Sequence, residues 1–332
     1  MPLYEGKLPN KSYNTQTLAM VDYANQAAPA GIGWSAIDLA RVLVPLNILV
    51  WDYPRHTTQV RAVLARWDFS AMARDGVMQG AQRNDKGTVL VQEGRLGYEQ
   101  YAAKSLLLMG LDVHTAAQWQ PFLRYETIYS LLLPVDKRDP AEYHAHNYVL
   151  SEPYVLDGLE FGFDTVSREF AYRVYAAQEA RFKATGVLTA VSEDNIDEAP
   201  YFVYNTVYTS GGAWKSITDT GADASAFRSL STKAAFGWNA LFRTDYTRKL
   251  VDKAASLADP ERGFYAGWYE LKNRPNKAIT ANTNAVVLES LAYRANGPLM
   301  TLSRVAAAPA ALRLPSAVVN PSGVFALPLT SL

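Results

Sequence analysis

The chain has 332 residues, 49% of them hydrophobic, with 32 Lys and Arg against 32 Asp and Glu and a formal net charge of zero. That length supports a large core, and the balanced charge lacks the positive excess with which a protein neutralises nucleic-acid phosphates. The absence of cysteine excludes thiol nucleophiles, cysteine-rich metal sites and disulfides together.

Residues 1–12 carry neither the basic start nor the apolar run of a signal peptide, and no stretch approaches the roughly 18 apolar residues of a membrane span. A periplasmic or secreted location is expected if a leader has been removed, and a cytoplasmic one otherwise. Apolar residues at spacings of three and four predict helices over 18–27, 35–50, 57–67, 98–111, 166–185, 232–241, 246–257 and 282–294. Ser35, Ser231 and Asp245 stand where N-caps belong. β-branched and aromatic clusters predict short extended pieces at 88–91, 148–150 and 202–204. The long, aromatic-rich connections do not suit a four-helix bundle, and no fixed period points to a solenoid. They predict an all-α toroid of inner and outer helices, one domain over 1–300, with short β segments in loops gathered at the cleft end. Residues 301–332, with Pro309, Pro315, Pro321 and Pro328 among Ala, Ser and Leu, read as a loosely attached tail.

Two loop stretches set carboxylates beside aromatic and amide side chains: Thr189 to Asp194 running into Tyr201 to Asn205, and Gly267 to Glu270 running toward Thr280 to Asn284. A pyranose has apolar faces that stack on rings and a rim of hydroxyls that needs donors and acceptors, which Tyr and Trp supply together. The expected sugar-binding set is Trp34, Glu160, Tyr204, Asn205, Trp238, Trp268, Tyr269, Glu270, Asn282 and Asn284. Each aromatic has core packing as its alternative reading.

Glycoside hydrolysis requires two carboxyl groups, one protonated and one ionised, so carboxylates in apolar sequence are the candidates. Glu99 follows Tyr98 at the start of an otherwise apolar helix, where favouring the helix dipole is the alternative role. Asp38 lies among apolar residues one turn from Trp34, and is expected either to line a buried cavity or to pair with Arg41. Glu193 and Asp194 are adjacent and should point in different directions, one toward the cleft. His144 and His146 have no third ligand at motif spacing, so no metal is expected. No P-loop, dinucleotide glycine fingerprint, HExxH or GxSxG occurs, and no cofactor is expected.

From Ser35 to about Leu299 the chain resembles a bacterial family known as domain of unknown function 3131. The resemblance rests on the blocks Glu152 to Glu160, Ala177 to Arg181, Leu188 to Asp194, Ser231 to Trp238 and Ala281 to Glu289. More distantly, Ser35 to Val42, Tyr98–Glu99 through Gly110, and Gly186 to Asp194 are similar to motifs of the β-1,2-glucanases of glycoside hydrolase family 144. That similarity implies an (α/α)6 barrel, Glu99 as the acid, and Asp38 with Glu193 or Asp194 at the other acidic positions. The expected activity is hydrolysis or transglycosylation of a bacterial β-glucan or exopolysaccharide, with Glu99 protonating the glycosidic oxygen and Asp194 or Glu193 activating water or attacking the anomeric carbon. The alternative is a non-catalytic polysaccharide-binding or assembly module working with polysaccharide synthesis machinery.

Overall fold

The computed structural model describes residues 1–300 apart from 139, 144 and 145. His144 and the Ala/Pro-rich segment 301–332 lie outside the described residues.

The expectation of an all-α toroid is corrected: the protein is 40% helix and 22% strand, a mixed α/β chain whose strands form seven small sheets among the described residues. Most of these strands are two or three residues long, too short for the alternation by which a strand announces itself in sequence. The longest unforeseen hairpin pairs Leu123–Ile128 with Leu131–Asp136. Its two-residue turn holds Tyr129 at φ 48° and Ser130 at φ 64°, a left-handed turn made without the Asn or Gly that normally marks one.

Among the described residues helices form at seven of the eight predicted spans, and at two more that the spacing did not announce. They are α1 (Ala36–Asp52), α2 (Thr57–Leu64), α3 (Tyr98–Leu108), α4 (Pro140–Tyr143), α5 (Glu152–Leu156), α6 (Thr165–Thr185), α7 (Thr232–Leu241), α8 (Asp245–Ala255) and α9 (Ala281–Asn296). The helix expected over 18–27 does not form. Asp22 Oδ1 accepts from the Ala24 and Gln26 amides, and Asn14 Oδ1 from Gln16 and Thr17, so side chains capture the amides a helix would use. Ser35 caps α1 as expected, through a 3.1 Å bond from the Asp38 amide. The cap of α8 is Thr244 rather than Asp245, in a reciprocal pair with Thr247. Of the expected extended pieces, 88–91 and 202–204 lie in strands, whereas 148–150 contributes only a bridge from Val149 to Tyr208.

The described chain divides into two compact units, the first comprising 1–94 and 98–121, the second 95–97 and 122–300. In the described part of the first, α1 packs on α3, where Ser105 Oγ donates to the Ala40 carbonyl at 2.8 Å. The three-stranded sheet Ala73–Arg74, Val77–Asn84 and Gly87–Gln92 lies beside α1. Gly33, at φ 124°, lets the chain run tightly along this sheet, since a Cβ there would fall 1.9 Å from the Ala81 carbonyl oxygen.

The second unit is built around α5 to α9. Tyr175, Trp238, Phe242 and Tyr246 form its aromatic centre, with Tyr175 and Phe242 rings 5.0 Å apart. Gly237 brings α7 against α5, because a Cβ there would meet Val155 Cγ1 at 2.3 Å. Connections between these helices carry the sheets Glu193–Asn195, Phe202–Asn205, Ser216–Ile217 and Ser229–Ser231, Gly267–Tyr269, Arg274–Asn276.

Candidate functional site

Three helix starts in the second unit converge on one ion pair. Glu152 is the first residue of α5, Lys233 the second of α7 and Asn282 the second of α9. Lys233 Nζ donates to Glu152 Oε2 and, at 2.8 Å, to Asn282 Oδ1, while Asn282 Nδ2 donates to Glu152 Oε1 at 3.1 Å, closing a ring. The Lys233 and Glu152 side chains are 5% and 1% exposed. A lysine in the first turn of a helix opposes the helix dipole, and its burial costs more still, so the surrounding carboxylates are what hold it there. Burial lowers the Lys233 ammonium, but Glu152, Asp194 and Glu193 outweigh burial and hold its pKa above the ordinary value.

Asp194 lies beside this ring on the strand Glu193–Asn195. It is 2% exposed, its Oδ1 accepts from Ser231 Oγ at 3.1 Å, and its buried Oδ2 has no hydrogen-bond partner among the described residues. Ser231 stands at the N-cap of α7 but makes no side-chain cap bond, so its hydroxyl serves Asp194 rather than the helix. Burial raises the Asp194 carboxyl from 3.8 to about 7, against the lowering effect of Lys233 and the Ser231 bond and with Glu152 adding to the rise.

This raised pKa makes Asp194 a stability determinant. A carboxyl held more protonated in the folded chain contributes stability that is complete below its unfolded value near 4 and lost as pH rises through about 7. Three pK units correspond to about 4 kcal/mol, and weaker retention of Lys233 offsets part of this, so Asp194→Asn should gain about 2 kcal/mol over the parent at pH 8 and nothing at pH 4. Urea unfolding at the two pH values measures the difference, and parallel pH profiles would refute it.

Because neighbouring strand residues face opposite ways, Glu193 points away from Asp194. It is half-buried and lies directly across from Tyr204. Tyr204 stacks on Tyr148 with ring centres 4.4 Å apart and meets the edge of Phe202 at 5.1 Å. Burial pushes the Tyr204 hydroxyl far above its ordinary range, with Tyr148 and Glu193 reinforcing the shift. Glu193 and the two tyrosines thus set a carboxylate against an aromatic pair.

Within the first unit, Glu99 is fully buried in the first turn of α3, and its Oε1 accepts from Gln92 Nε2 at 2.9 Å. The buried-cavity expectation for Asp38 is corrected: it is exposed in the first turn of α1, where a carboxylate needs only the helix dipole and water. The buried carboxylate at that helix start is instead Glu93, which accepts from the Ala36 and Ile37 amides. Burial raises Glu93 to about 7, opposed by Lys11 and assisted by Asp38.

Several expected sugar-binding residues are structural. Trp34 is 1% exposed, donates to the Gln79 carbonyl and packs on Tyr4. Trp238 is wholly buried and donates to Ser151 Oγ at 2.8 Å. Asn205 is spent on Ser229 and Ser216, and Asn284 on the backbone of Phe264 and Thr280. Tyr269 is buried and donates to Asp197 at 2.7 Å. Glu270 is clamped by both nitrogens of the Arg181 fork, at 2.7 and 2.8 Å, and by Arg228 at 3.0 Å, so both its oxygens are taken. One face of Trp268 is covered by the Lys253 ammonium, 3.2 Å from the ring centre. Glu160 is buried in the single π-turn Asp157–Phe161 that follows α5. Asn282 does belong to the cluster, as a partner of Glu152 and Lys233 rather than a surface amide.

Sequence reasoning by itself gave no role to Glu152, Lys233 or Glu93, and read Ser231 only as a helix cap. The available signal was Lys233 in the first turn of an otherwise apolar helix, between Thr232 and Ala234-Ala235-Phe236. Among the described residues no group of three or more His, Asp or Glu could hold a metal ion, and no described helix is long and apolar enough to cross a membrane.

Residues 1–297 match the family model described as Protein of unknown function (DUF3131). A candidate glucoamylase from Bacteroides fragilis superposes with a TM-score of 0.58 at 10% identity, over 94% of this chain and 76% of that one. A second, from Bacteroides uniformis, gives 0.55 at 11% identity over 93% and 76%. An endo-β-1,2-glucanase from Chitinophaga pinensis, in complex with sophorotriose and glucose, gives 0.54 at 12% identity over 90% and 74%. No curated protein matches the chain. At these identities the likeness concerns the fold.

Proposed function

The chain belongs to the family described as Protein of unknown function (DUF3131), and we propose that this member is a carbohydrate-active protein of glycoside-hydrolase type, acting on a bacterial β-glucan or exopolysaccharide. The observation that carries the reading is Asp194: a buried carboxyl titrating near neutrality beside a carboxylate, Glu152, that Lys233 pairs. Neighbouring carboxyls pushed toward different protonation states are what glycoside chemistry uses. The endo-β-1,2-glucanase among the structural neighbours supports the substrate class.

Glu193 is the carboxylate assigned to meet substrate or water, against the Tyr148–Tyr204 pair. Glu99 keeps the proton-donor role implied by the family 144 resemblance. The test is incubation with linear β-1,2-glucan and a panel of defined oligosaccharides, with product analysis. Shortened products that disappear in a folded Glu193→Gln variant support the reading, whereas no product from any substrate would refute catalysis.

A second reading, binding without turnover, is favoured by one observation: Glu99, Glu152 and Asp194 are each at most 2% exposed. Under either reading Tyr204 presents an aromatic surface. Tyr204→Ala should weaken sophorotriose or longer-glucan binding by about 1–2 kcal/mol in calorimetric titration, the scale of one lost stacking contact. Unchanged affinity in the folded variant would remove Tyr204 from the binding surface.

A further inference from the structure

We propose that Lys233 is a positioning residue that keeps the negative charge on Glu152 and leaves Asp194 as the carboxyl that exchanges a proton. The inference deepens the proposed function and rests on its choice of this cluster, but its test requires no activity.

The geometry divides the two carboxyls unequally. Glu152 has both oxygens engaged within the ring, one with the Lys233 ammonium and one with the Asn282 amide. An ionised carboxylate is the form that accepts at both oxygens. Asp194 makes no ion pair with Lys233 within 4.0 Å among the described residues, and takes one bond from a neutral hydroxyl, Ser231 Oγ. Its second oxygen is buried and without a partner among the described residues. A carboxylate so placed is poorly solvated for a charge and well placed to hold a proton.

Asn282 contributes to the asymmetry. Its carbonyl oxygen accepts a hydrogen bond from the ammonium and its amide nitrogen donates to Glu152, so it fixes the lysine on the Glu152 side of the cluster. The charged groups acting on Asp194 are Lys233 from α7 and Glu152 from α5, with opposite signs. Glu193, on the same strand, acts on Lys233. Lys233 therefore opposes the protonation of Asp194 and Glu152 favours it.

The arrangement predicts shifts of opposite sign, which a purely packing role for Lys233 would not produce. The full chain, labelled with 13C at aspartate carboxyls, is titrated by NMR, with the Asp194 signal assigned by its loss in Asp194→Asn. In the parent the signal should titrate near neutral pH. In Lys233→Gln the midpoint should move up by about one pH unit or more, and in Glu152→Gln it should move down. If Lys233→Gln does not fold, Glu152→Gln/Lys233→Gln replaces the ion pair by two neutral amides of similar shape. Its midpoint should then fall above that of Glu152→Gln by the lysine's contribution.

Shifts of the same sign in the two single variants, or an unmoved midpoint in either folded variant, would overturn the assignment. So would the same midpoint in the double variant as in Glu152→Gln. A protein that shows the opposite shifts but cleaves no glucan would refute the proposed function and leave the division of charge standing.

Discussion

Replacing Lys233 by methionine is expected to lower the unfolding free energy by about 3–5 kcal/mol, because it removes the ammonium paired with the buried Glu152 carboxylate. The two side chains are 5% and 1% exposed, so water cannot substitute for the lost ammonium. Glu152 would lose the charge-assisted bond at Oε2 and keep the neutral Asn282 amide at Oε1. The cost belongs to the broken pair rather than to the intact one. Glu152→Met/Lys233→Met, which removes both charges and fills the space with apolar atoms, should therefore recover most of the loss. Urea denaturation at pH 7, with unchanged m-values establishing that the same transition is compared, measures both. A folded Lys233→Met variant within 1 kcal/mol of the parent would show that the pair is not desolvated.

Glu99→Gln is expected to reduce glucan cleavage by at least about 100-fold on an unactivated substrate, the range for removing a positioned proton donor. The substitution keeps the side-chain volume and an acceptor for the Gln92 amide, which now lies 2.9 Å from Oε1. It should leave the fold intact. An aryl glycoside with a good leaving group needs less protonation and should lose much less rate. Equal losses on both substrates, or full activity on the natural glucan, would dismiss Glu99 as the acid.

Helices were legible because their signal is long. The 3.6-residue spacing persists over 10 to 21 residues in α1, α6, α7, α8 and α9, and matches the observed spans within a few residues. The strands were not, because pairs such as Tyr208–Thr209 with Gly212–Ala213 offer only two residues each. The fold class was misread for that reason. Asp194 and Glu193 were singled out as a carboxylate pair beside aromatic residues, and the strand keeps Glu193 across from Tyr204 while burying Asp194. Glu270 carried the same local pattern and was misread, since Arg181 lies 89 positions away and nothing near Glu270 reveals that it arrives. Trp34 and Trp238 failed similarly: an aromatic just before a helix or within one reads alike whether it ends in a core or on a surface. Lys233 was not singled out, because its two oxygen-bearing partners come from the starts of other helices.

The Glu152–Lys233–Asn282 ring joins positions separated by 81, 49 and 130 residues. Contacts this distant close only after most of the intervening chain has lost its freedom, so the ring belongs to the late, slow part of assembly. Once made, it cannot be undone by fraying one helix end, since each corner is held by the other two. Amide hydrogens in the second turns of α7 and α9 should consequently exchange with solvent only through opening of the whole unit, at a rate that tracks its global stability. The part of the molecule where a proton is proposed to move is then also the part whose backbone moves least.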